Sequence, residues 1–139
     1  MACARWTVLA LLAAVVLAGC GGDMQPDELK RSIGTLESSA AEGALLADHV
    51  ARDRTKATFA RAHARDLGEA VDHEAEKLHD ASAEGQVAVR KAAAVDLAGR
   101  ISEALGQIQI TPDSESEGRS AAADLTRFGD RADKLAEGL

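Results

Sequence analysis

Between Leu29 and Leu139 apolar residues return every three or four positions, and the whole chain holds only two prolines, Pro26 and Pro112. A helix turns once in 3.6 residues, so positions spaced this way fall on one face. The period is helical almost everywhere after residue 26. The chain is therefore constrained to pack helices against helices.

Four stripes can be followed. The first helix is expected over about 27–51, with Leu29, Ile33, Leu36, Ala40, Ala44, Ala47 and Val50 facing inward. Pro26 suits a helix start, and Asp27 and Glu28 suit the positive end of the helix dipole. The second is expected over 55–81, capped by Thr55, with Phe59, His63, Leu67, Val71, Ala75 or Glu74, and Leu78 as its stripe. The turn before it, Arg52-Asp53-Arg54-Thr55, carries neither Gly nor Pro. It is placed by length, since one helix from 27 to 81 would run about 80 Å at 1.5 Å per residue. The third is expected over 85–109, with Val87, Lys91 or Ala94, Leu97, Ile101, Leu105 and Ile108. Its part from Val87 to Val95 is apolar on several sides, which suits deep burial or a contact surface. The fourth is expected over 112–137, with Ala121, Leu125, Phe128, Ala132, Leu135 and Leu139 in a heptad rhythm. Thr111-Pro112-Asp113 provides one start for it, and Ser114 with Glu117 provides a competing capping-box register.

Helices of this length joined by short turns pack as antiparallel neighbours. The expected fold is all-α, an up-down-up-down four-helix bundle over 27–139. A longer two-helix hairpin or coiled coil that needs a partner is the alternative. Alanines in the stripes allow close approach but bury little area, so the expected stability is about 5 kcal/mol.

The start of the chain has another character. Arg5 is followed by an uncharged stretch from Trp6 to Gly19 that is mostly Leu, Ala and Val. A positive residue ahead of such a run is the layout of an export signal. At 14 residues the run is shorter than the roughly 20 a membrane-spanning helix needs. It closes on Leu17-Ala18-Gly19-Cys20, which resembles the lipobox of bacterial lipoproteins in all four positions. The resemblance implies that residues 1–19 form a signal peptide, expected to be helical and cut away between Gly19 and Cys20. It implies that the Cys20 sulfur carries a diacylglyceryl group. Residues 20–26 then form a lipidated tether, and two or more acyl chains hold the protein firmly on a membrane. The implied place is the bacterial cell envelope, on an outer membrane face or in the periplasm. Gly21 after the lipidated cysteine leans toward the outer membrane in two-membrane cells.

From Cys20 onward the chain has 120 residues, with 15 of the 16 basic residues and all 23 acidic ones, a formal charge of −8. That balance disfavours nucleic acid, whose phosphates need basic patches. The same segment has two aromatics, Phe59 and Phe128, too few for stacking on bases, sugars or flat cofactors. With Cys3 in the signal and Cys20 lipidated, no thiol remains for a disulfide or a thiolate metal site. No cofactor is expected.

The four histidines, His49, His63, His73 and His79, do not converge. On the second helix His73 and His79 point about 280° and 160° away from His63 at 100° per residue. His49 lies roughly 8 Å from His63 along the axis. Glu76-Lys77-Leu78-His79 matches one Glu-x-x-His motif, where a di-iron bundle needs two. No phosphate loop, nucleophile elbow or HExxH motif occurs, so neither an enzyme nor a metal site is expected. His63 replaces an apolar residue on the core stripe of the second helix. With Glu103, expected near its level, it is the candidate for a ligand-binding or pH-sensing group. Arg52, Arg54, Lys56, Arg61 and Arg65 form the one basic cluster, a candidate surface for an acidic protein partner. The leading expectation is a lipid-anchored, non-enzymatic module that binds an envelope protein. A small-ligand or metal-binding bundle using His63 is the alternative, and a structural spacer is a third reading.

Overall fold

The computed structural model describes residues 23–139, so the expected signal segment and Cys20 lie outside the described residues. Within them are four α-helices: α1 (Pro26–Ala51), α2 (Ala57–Asp80), α3 (Gly85–Ile110) and α4 (Glu115–Glu137). Each runs antiparallel to the next. Glu42 meets His63 across α1 and α2, and Asp72 meets Ser102 across α2 and α3. Arg90 on α3 donates to the Leu135 carbonyl on α4. The ring closes where the start of α4, at Gly118, lies against Ala47 and Ala51 at the end of α1. The four helices make an up-down-up-down bundle.

The bundle is not square in section. α1 packs most extensively on α4, and α2 on α3, while α1 and α3 touch across the diagonal and α2 and α4 do not. Leu29, Ile33, Leu36, Val71, Leu78, Leu97, Ile101, Leu105, Ile108 and Leu125 fill the centre, all at most 1% exposed. Between them Ala40, Ala47, Ala60, Ala64, Ala94, Ala98, Ala121 and Ala132 let the helix axes approach closely. Phe128, Leu135 and Leu139 pack on the edge of this core.

Several local features differ from the sequence reading. Along α2 the inward residues of the first two turns are Ala60 and Ala64, not Phe59 and His63. Both pairs have the four-residue spacing, so both fit the period, and the inner face of α2 is turned toward Ala60 and Ala64 at this end while Leu67, Val71 and Leu78 stay inside as expected. The small pair goes inside because α2 must sit close to its neighbours there. Phe59 is 58% exposed and stacks on the His63 ring, with centroids 5.4 Å apart.

Thr55 does not cap α2, whose first flanking residue is Lys56 with no side-chain cap bond. The preceding turn is instead set by the end of α1. The Asp53 N–H donates to the Val50 carbonyl and the Arg54 N–H to that of His49, a Schellman closure. Asp53 takes the left-handed conformation there, with φ of 51°, a place glycine usually fills. This explains why no Gly marks the turn. α4 begins at Glu115, three residues after the start expected at 112, because the Ser114 register prevails: its hydroxyl accepts from the Glu117 N–H. Pro112 sits in a turn closed by Ser114 N–H to the Thr111 carbonyl.

Met24, expected in the tether, belongs to the bundle. It is 4% exposed, and its N–H donates to the Ser82 carbonyl in the α2–α3 turn at 2.8 Å. Nearby, the ammonium of Lys91 donates to the carbonyls of Leu78 and Ala81 at the end of α2. Its stem lies in the stripe while its charge satisfies the helix C-terminus, which is how a lysine fits an apolar register.

Candidate functional site

Among the described residues the exposed large apolar side chains are Leu45, Phe59, Val89 and Ile110. Leu45, Phe59 and Ile110 lie in the half of the bundle remote from Met24, near the α1–α2 turn and the end of α3. Val89 lies at the other end, in the segment whose several apolar sides are matched by Val87 and Val95 packing partly on the core.

The basic cluster divides in two in this same remote half. Arg54 and Lys56 line a wide groove of about 630 Å³ at the bundle end, with Thr55, Thr58, Asp53 and Pro112. Arg61 and Arg65 flank a second groove of about 360 Å³ between α2 and α3, floored by Ala62 and Ile110. Thr58 lines both, so the two grooves adjoin. Arg52 faces elsewhere and pairs with Asp48 at 2.9 Å. Arg61 donates from Nε to the Gln109 carbonyl at 3.1 Å, which fixes its stem along the groove. Arg65 pairs loosely with Asp66 and Glu69, at 3.5 and 3.6 Å, with all three side chains more than 60% exposed. Such pairs hold little free energy in water, so these guanidinium groups remain open to other carboxylates.

His63 and Glu103 are not brought together. His63 Nε2 lies 2.8 Å from Glu42 Oε1 on α1, and Glu103 is exposed on α3. The rotation of α2 that puts Ala60 and Ala64 inside carries His63 to the α1 flank, away from α3. Its side chain is 32% exposed, so no enclosed polar pocket surrounds it. His49 is in the last turn of α1, and His73, Glu76 and His79 are exposed. Among the described residues no three His, Cys, Asp or Glu side chains gather closely enough to hold a metal ion. Among the same residues no helix is long and apolar enough to cross a membrane.

On the opposite side of the bundle, α1 and α4 frame a groove of about 350 Å³ that the sequence reading missed. Ala41, Ala44, Leu125 and Gly129 make its floor, and Glu37, Asp130 and Asp133 make its rim. Asp130 and Asp133 lie three apart on the outer side of the α4 heptad, which is the signal that could have placed them. Ile110 was likewise visible as an apolar residue two positions beyond the stripe residue Ile108.

No protein-family profile matches the chain, and no curated protein or solved structure matches it either.

Proposed function

We propose that this protein is a lipid-anchored module of a bacterial envelope, held to a membrane through Cys20, that works by binding another protein without catalysis. The observation that supports this reading most is the pairing of exposed apolar and basic side chains in one half of the bundle. Ile110 remains 72% exposed in the groove of Arg61 and Arg65, which adjoins the groove of Arg54 and Lys56, and Phe59 remains 58% exposed in the same half on the α1 flank. Interfaces draw affinity from such apolar anchors and orientation from the charged rim around them.

The position of Met24 sharpens the reading. Only Cys20 to Asp23 would separate the lipid from a residue pinned in the bundle, a reach of roughly 14 Å at 3.3–3.6 Å per residue. The end bearing Met24 and the α2–α3 turn would then face the membrane. The basic and apolar end would stand about 40 Å away, since α1 has 26 residues at a rise of 1.5 Å. The lipid would set location and local concentration, and the remote end would meet the partner.

The test is cross-linking in intact cells, with mass-spectrometric identification of what is captured. The Cys20 chain is expected to capture one dominant envelope protein, and a Cys20→Ala chain is expected to lose it. Lys56→Glu in the anchored chain should lower that capture. A partner captured equally well by the Cys20→Ala chain, or no partner at all, would overturn the reading.

A further inference from the structure

Two of the bundle's lateral grooves are nearly equal in size and opposite in charge. The α2–α3 groove is rimmed by Arg61 and Arg65, and the α1–α4 groove by Glu37, Asp130 and Asp133. No acidic side chain lines the first and no basic side chain lines the second. Both floors are apolar, and their volumes are about 360 and 350 Å³.

Their heights also agree. The His63–Glu42 contact places α2 residue 63 level with α1 residue 42. Residues 58–65 of the basic groove then stand level with α1 residues 47–40. The acidic groove spans α1 residues 37–44. The two centres differ by three residues, about 4.5 Å along the axis. Helix order puts α2–α3 and α1–α4 on opposite sides of the bundle.

We propose that each groove is a docking surface for a second copy of this chain, the basic groove of one copy receiving the acidic groove of the next. The contact is heterologous and does not close on itself, so it generates rows rather than dimers. Equal heights let copies that stand the same way up meet at one level. Copies anchored on one membrane stand that way, and this orientation is the only part that rests on the Cys20 reading. Overall the chain is acidic, at −7. Attraction therefore depends on the local pairing of Arg61 and Arg65 with Asp130 and Asp133, at separations within the screening length of about 8 Å. Ile110 and Ala62 of one copy would cover Ala41 and Ala44 of the next, which leaves the end groove of Arg54 and Lys56 to the partner. Confinement to a membrane supplies the concentration that a small interface needs.

The test uses the full chain in cells, with Ala62→Cys and Ala41→Cys introduced together and a short bismaleimide added. The chain without these substitutions serves as background. A ladder of dimers and longer species is expected from the double variant. Either substitution alone should give none, and co-expressing the two single variants should give dimers only. Arg61→Glu with Arg65→Glu should cut the ladder about tenfold, and Asp130→Arg with Asp133→Arg should do the same. Co-expressing the two charge-reversed chains should restore cross-linking, which also shows that both are folded. The proposal is overturned if no ladder forms, if charge reversal leaves it unchanged, if the mixed reversed chains do not recover it, or if Ala62→Cys alone gives strong dimers. Cross-links between copies are scored apart from capture of any other protein, so this proposal and the partner reading fail separately.

Discussion

Replacing Gly118 by alanine is expected to destabilise the bundle by about 2 kcal/mol, against a total of about 5 kcal/mol. A Cβ at Gly118 would stand 2.7 Å from the Ala51 nitrogen and 2.9 Å from the Ala47 oxygen. Those are backbone atoms of α1, and no rotamer change can move them. α1 and α4 would have to separate along their whole contact, which is the most extensive in the bundle. Alanine's better helix propensity recovers less than about 1 kcal/mol near a helix start. Gly34 provides the control, since nothing lies within 4 Å of a Cβ there. Gly34→Ala should raise stability by about 0.5–1 kcal/mol. Thermal unfolding followed by circular dichroism separates the two, with Gly118→Ala melting lower than the parent by roughly 5 °C or more. A Gly118→Ala protein as stable as the parent would show that the α1–α4 approach is looser than described.

Leu105→Ala should cost about 3 kcal/mol, more than half of the expected stability. Leu105 is fully buried, and one of its methyl groups fills the notch left by Gly43. A Cβ at Gly43 would stand 2.7 Å from that methyl and 3.2 Å from one of Leu125. These are ends of flexible side chains, so Gly43→Ala alone should change stability little. Once Leu105 is alanine, the methyl is gone and the added Cβ occupies part of the cavity. Gly43→Ala should then restore about 1 kcal/mol, a coupling that a double-mutant cycle in urea measures directly. Additive effects would mean that Leu105 does not pack into the Gly43 notch.

The contrast between these two glycines shows where the sequence was silent. The stripes of α1, α3 and α4 were legible because large apolar residues recur on them with little competition. On α2 two interleaved rows shared the helical period. Size alone favoured Phe59 and His63 as the inner row, whereas close packing needed Ala60 and Ala64. Close approach is a property of two helices together, so neither Gly43 nor Gly118 announces a partner in its own neighbourhood. The Asp53 turn was hidden for a related reason. A Schellman closure commonly uses glycine, and here aspartate takes the left-handed position. Lys91 was legible as a stripe residue, but the carbonyls that receive its charge come from another helix.

The candidate surface was half legible. The basic residues stand together in sequence from Arg52 to Arg65, so their cluster could be read directly. Its division into an end groove and a lateral groove could not, because Ile110 and Gln109 arrive from the far end of α3. The pairing of His63 with Glu42 instead of Glu103 follows from the same rotation of α2. Glu37, Asp130 and Asp133 come together only because α1 and α4 are neighbours, a consequence of bundle closure that no local pattern encodes.

The proposed attachment through Cys20 would fix which end of the bundle meets a partner, and the mass of the protein's own N-terminal peptide is its test. The full chain is expressed in a bacterium, recovered from the membrane fraction and digested. The expected peptide begins at Cys20 and carries acyl chains. A peptide with unmodified Cys20, or a mature chain that begins elsewhere, would contradict it.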